Sequence, residues 1–123
     1  MADRKKILLV DDSRTALVAE AALLSHRYEL CTAEDGQEGL KKALDVRPDL
    51  ILLDVMMPRM DGLTALRELR AHAETEATPV ILVSTRGELE SLEAGYVSGW
   101  NDYVTKPFDA TELLEKVRSC LGE

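Results

Sequence analysis

Ile51-Leu52-Leu53-Asp54 decides the architecture of this 123-residue chain. A short aliphatic run reads as a strand buried on both faces. This one ends on a carboxylate, which is costly in an apolar setting unless an ionic or hydrogen-bonding partner meets it. Three other runs have the same form. Ile7-Leu8-Leu9-Val10 ends on Asp11-Asp12, Val80-Ile81-Leu82-Val83 ends on Ser84-Thr85, and Asp102-Tyr103-Val104-Thr105 runs into Lys106-Pro107. In a parallel sheet those carboxyl ends share one edge, where open α/β sheets place their sites. Three carboxylates, a hydroxyl and an ammonium are expected to converge there.

Outward from that stretch, strands alternate with amphipathic helices. A strand over 5–10 precedes a helix that Asp12 or Ser13 can cap. That helix reaches about His26, with Leu17, Ala21 and Leu24 on one stripe. A strand over 28–32 follows. Asp35-Gly36-Gln37-Glu38 has the form of a capping box, Leu40, Ala43 and Leu44 point inward, and Arg47-Pro48 stops the second helix. Asp61 caps the third, whose inward residues are Leu63, Leu66 and Leu69, and 73–78 is a polar connector. A fourth helix is expected from about Gly87 to Val97, carrying Leu89, Leu92 and Tyr96. Gly95 weakens it and Gly99 can stop it in the left-handed conformation. Asp109 caps a fifth, with Leu113, Leu114, Val117 and Leu121 toward the sheet. Five βα units without a repeat or linker predict one domain over 1–123, a five-stranded parallel sheet covered on both faces, and no output domain.

Hydrophobic residues make up 46% of the chain, too many for a disordered polymer. The net charge of −8 argues against a nucleic-acid partner, which needs a basic surface. No apolar run approaches a membrane span and no signal-peptide pattern follows Met1, so a cytoplasmic, membrane-free location is expected. Cys31 and Cys120 lack metal-ligand spacing and read as free thiols.

Asp11, Asp12 and Asp54 gathered at one edge repel one another and push at least one pKa upward. A divalent cation relieves this, and oxygen-only ligands with room for water suit Mg²⁺. Lys106 supplies a point charge for a phosphoryl oxygen and Ser84 a hydroxyl donor. This is the equipment of phosphoryl transfer, with Asp54 as the nucleophile. Each residue alone has a plainer reading: Asp12 as a helix cap, Lys106-Pro107 as a turn, Tyr103 as a strand-edge aromatic. The joint arrangement is far more specific.

Asp11-Asp12-Ser13, the segment Asp54-Val55-Met56-Met57-Pro58-Arg59-Met60-Asp61-Gly62, Ser84-Thr85 and Lys106-Pro107-Phe108 together resemble the receiver domains of two-component response regulators. The resemblance covers the whole chain. It implies the doubly wound, flavodoxin-like (CheY-like) fold with strand order 2-1-3-4-5. It implies that Asp54 is the phosphoacceptor, served by a histidine kinase or a histidine phosphotransfer protein. Asp12, Asp54 and the Met56 carbonyl would hold Mg²⁺, with Asp11 acting through water. Ser84 and Lys106 would contact the phosphoryl group, and the Lys106-Pro107 peptide would be cis. Met56 and Arg86 would flank the path of attacking water. Ser84 and Tyr103 would form the switch. Tyr96, Trp100 and Tyr103 would lie on the surface offered to a downstream protein target, through the fourth helix, fifth strand and fifth helix. A chemotaxis, motility or phosphorelay output is implied, from a monomer or a phosphorylation-dependent dimer. The chain departs from the family in Ser84, where threonine is commoner, and in Trp100, where a small residue is usual.

Other classes fit less well. A Mg²⁺-dependent phosphatase resembling an Asp-x-Asp pattern lacks its second acid in Asp54-Val55-Met56. A nucleotide- or flavin-binding domain lacks a Gly-rich loop after the first strand. A phosphorylation-independent pseudo-receiver has no need of five site residues. A receiver excised from a larger regulator stays open.

Overall fold

The computed structural model describes residues 4–57, 60–85, 87–88 and 99–123. Five parallel strands form one sheet in the order β2-β1-β3-β4-β5: β1 Lys6–Val10, β2 Glu29–Ala33, β3 Leu50–Asp54, β4 Val80–Ser84 and β5 Asp102–Thr105. The register places Val10 beside Leu53, Asp54 beside Val83, and Ser84 beside Thr105. The strand ends that carry Asp11, Asp54, Ser84 and Lys106 are thereby brought level.

Helices α1 (Arg14–Leu24), α2 (Gly36–Val46) and α3 (Gly62–Ala71) and a C-terminal helix (Ala110–Cys120) cover the sheet. Alternate strand residues feed two apolar layers. Leu8, Val10, Ile51, Leu53 and Leu82 pack with residues of α2 and α3. Ile7, Leu9, Leu52, Val83 and Val104 pack with α1 and the C-terminal helix. β3 and β4 are buried at every position, as strands covered on both faces must be. Of the expected fourth helix only Gly87 and Glu88 are described, both helical; Leu89, Leu92, Gly95 and Tyr96 lie outside the described residues, as does Arg86.

The caps decide where the helices begin. Ser13, not Asp12, caps α1, accepting from Ala16 N at 3.2 Å. Asp35 accepts from Glu38 N at 2.8 Å, while Glu38 reaches back one residue further than a capping box requires, to Glu34 N at 2.6 Å. Asp61 caps α3 through Thr64 N at 2.8 Å. Asp109 stands at the expected cap position of the C-terminal helix, but its side chain makes no capping bond.

On α1 the buried stripe is Leu17, Glu20 and Leu24, with Ala21 only partly covered. The stripe is thus turned by one residue from the expected one, and a glutamate enters the interior. Arg70 fastens the approach to β5: its guanidinium donates to the carbonyls of Gly99 (2.9 Å) and Thr75 (3.1 Å) and to Asn101 Oδ1 (3.3 Å).

Candidate phosphoacceptor site

The sheet edge gathers the expected groups. Asp11, Asp12 and Asp54 each offer an oxygen, and these oxygens lie within 4.8 Å of one another. Asp11 and Asp54 are buried and Asp12 is exposed. Because Ser13 performs the capping, the Asp12 carboxylate is left to other work.

Lys106 reaches across from the end of β5. Its Nζ donates to Asp11 Oδ2 at 3.0 Å and to Asp54 Oδ1 at 3.3 Å. Asp11 Oδ1 accepts from Ser13 N at 2.9 Å. The Lys106-Pro107 peptide is cis, and Lys106 N donates to the Ser84 carbonyl at 2.7 Å. The Ser84 hydroxyl, 1% exposed, donates to Glu88 Oε2 at 2.7 Å.

The loop after β3 is held by close backbone approach. Gly62 N donates to Val55 O at 2.9 Å, and a Cβ on Gly62 would stand 2.2 Å from the Asp54 carbonyl oxygen. Only glycine lets α3 begin directly against the residue that carries the site. Met56, the expected carbonyl ligand, has a side chain 62% exposed.

Among the described residues one cation, Lys106, faces several acids, and this sets the electrostatics. Burial first, then the Asp11 charge, pushes the Asp54 carboxyl up to about 6, against the pull of Lys106. Burial draws Lys106 down, but its bonds and charges with Asp11 and Asp54 prevail and hold it above its ordinary value. Glu20 joins from beneath on α1. It is 1% exposed, and Oε1 has no hydrogen-bond partner. Burial and the Asp11 and Asp54 charges drive it to about 8, against the pull of Lys106. An oxygen-only set with surplus negative charge fits a hard divalent cation such as Mg²⁺. Asp12, Asp54 and the Met56 carbonyl would hold it, Asp11 would act through water, and it would neutralise charge on a phosphoryl group.

On the far side of β5, Trp100 and Tyr103 meet edge to face with ring centroids 5.7 Å apart. Both are half-buried against the α2–α3 layer. The Lys116 ammonium lies 4.7 Å from the Tyr103 ring centre and 3.4 Å from Asp102. Tyr96 is outside the described residues.

Sequence reasoning missed three of these residues. Glu20 was legible as an acid three residues from Leu17 and four from Leu24, positions that share one helix face. Glu88 and Lys116 carried no signal, since each matters through a partner the sequence does not name.

Residues 7–118 match the response regulator receiver domain family. Among curated proteins, the chain is 38% identical to protein PilH of Pseudomonas aeruginosa over 95% of this chain and 98% of that one. It is 38% identical to the transcriptional regulatory protein ResD of Bacillus subtilis, of which it covers 48%. It thus spans nearly all of one relative and about half the length of others. Among solved structures, the chemotaxis protein CheY4 of Vibrio cholerae superposes with a TM-score of 0.88 at 32% identity, covering 97% of this chain and all of that one. The receiver domain of a Pseudomonas aeruginosa sensor histidine kinase, solved with a magnesium ion coordinated in its active-site cleft, gives 0.89 at 31% identity, over 98% of this chain and all of that one. With its strand order and its acidic edge, this chain belongs to the response regulator receiver domains of two-component signalling.

Proposed function

We propose that this receiver accepts a phosphoryl group on Asp54 from a phosphohistidine, with Mg²⁺ bound, and thereby controls docking of a downstream protein. The observation that carries this reading is the Asp54 carboxylate at the end of β3, beside Asp11 and Asp12 and hydrogen-bonded through Oδ1 to Lys106 at 3.3 Å.

In the transfer an Asp54 oxygen attacks phosphorus. The new P–O bond forms as the P–N bond to imidazole breaks, and the electron pair leaves on the imidazole nitrogen. Lys106 is already placed on the acceptor and steadies charge on the phosphoryl oxygens. Ser84, one residue beyond the strand partner of Asp54, supplies a hydroxyl donor from the next strand. The added charge and acceptors draw Ser84 and Lys106 toward them. Tyr103 then moves, and the face that carries Trp100 and Tyr103 presents a different surface to its partner. The likeness to CheY4, a chemotaxis protein, supports an output of the chemotaxis type.

The test is labelling with acetyl phosphate and Mg²⁺. The wild type should gain one acid-labile phosphoryl group, and Asp54→Asn should gain none. Equal labelling of the mutant would refute the assignment.

A further inference from the structure

The Ser84 hydroxyl is already engaged. It donates to Glu88 Oε2 at 2.7 Å, and the Glu88 N–H donates in turn to Thr85 Oγ1 at 3.3 Å. Glu88 is therefore tied to the end of β4 twice, once through its side chain and once through its backbone. A serine hydroxyl carries one hydrogen. While that hydrogen points at Glu88 it cannot point at a group on Asp54.

From this we infer that Glu88 is a positioning residue: a carboxylate latch that holds Ser84 in the unphosphorylated arrangement and competes with the phosphoryl group for its hydroxyl. The inference rests on the phosphoacceptor reading above and adds to it a specific opposing contact. Ser84 is 1% exposed, so water is a poor substitute partner, and its hydroxyl passes from one charged acceptor to another. The bond to a carboxylate is charge-assisted and stronger than a neutral one. Breaking it lowers the apparent affinity for anything that needs the Ser84 hydroxyl at Asp54. A glutamine at position 88 keeps a carbonyl acceptor of the same reach without the charge. An alanine keeps neither.

The experiment uses beryllofluoride with Mg²⁺ on the full chain, with half-saturation read from the fluorescence of Trp100, the single tryptophan, or from amide chemical shifts. Against wild type, Glu88→Ala should lower the half-saturating beryllofluoride concentration at least about tenfold, the lower end of the equilibrium factor for one charge-assisted hydrogen bond. Glu88→Gln should fall between them. The same substitutions are then made in a Ser84→Ala background, where a latch has nothing to hold and the effect should vanish. Unchanged half-saturation in Glu88→Ala overturns the inference. So does an effect that persists without Ser84, which would show Glu88 acting by charge alone. Acetyl phosphate labelling of the same samples keeps the two readings apart. If wild type does not label at Asp54, the phosphoacceptor reading fails. If wild type and the Glu88 variants label and half-saturation does not move, only the latch fails.

Discussion

Glu20 offers the sharpest quantitative test of the site's electrostatics. Its carboxyl is driven from 4.5 to about 8 by burial and by Asp11 and Asp54. A raised pKa in the folded state means that folded protein keeps a proton that unfolded protein releases. Stability from this group is complete below pH 4.5 and is lost as pH rises toward 8. Each unit of pH in that window costs about 1.4 kcal/mol. Between pH 4.5 and 7 the metal-free wild type therefore loses roughly 3 kcal/mol through Glu20 alone, and about 4 kcal/mol by pH 8, where the folded group is itself half ionised. Glu20→Gln cannot ionise and should lack this slope. Burying an amide in its place carries a fixed cost, and comparing two pH values cancels it. The assay is urea unfolding in chelator, followed by far-ultraviolet circular dichroism at pH 4.5, 5.5, 7 and 8. The mutant should gain on wild type by roughly 3 kcal/mol on going from the first pH to pH 7. Stability profiles that stay parallel across the range would refute the claim that the buried acid is forced to hold its proton.

In chelator, the Asp54 carboxyl should titrate near pH 6 and not near 3.8, and Asp11→Asn should move that midpoint down, because the Asp11 charge helps to raise it; carbon-detected NMR reads both. Asp12→Ala should leave metal-free stability within about 0.5 kcal/mol, since its side chain is exposed. The same variant should blunt the rise in melting temperature that millimolar Mg²⁺ gives the wild type, and an undiminished rise would count against Asp12 as a ligand. Gly62→Ala places a methyl 2.2 Å from the Asp54 carbonyl oxygen. It should destabilise the fold by about 2 kcal/mol and slow labelling at Asp54, measured by denaturant unfolding and acetyl phosphate uptake.

The five strands and their polar ends were legible in the sequence, and so was the convergence of Asp11, Asp12, Asp54, Ser84 and Lys106. The reason is that βα alternation forces a parallel sheet, and a parallel sheet puts every strand's carboxyl end on one edge. What lies opposite each of those groups was decided only by the tertiary packing. Helical periodicity names a face to within about one residue, which is why the α1 stripe was expected to run through Ala21 and instead buries Glu20. Asp12 and Ser13 were equal candidates for one cap until the backbone chose Ser13 and left Asp12 in solvent. Glu88 on Ser84 and Lys116 over Tyr103 depend on side-chain rotamers and on distances of a few ångströms between elements. Those quantities are fixed when the layers pack, because a hydrogen bond or ring contact is set by geometry in space and not by order along the chain.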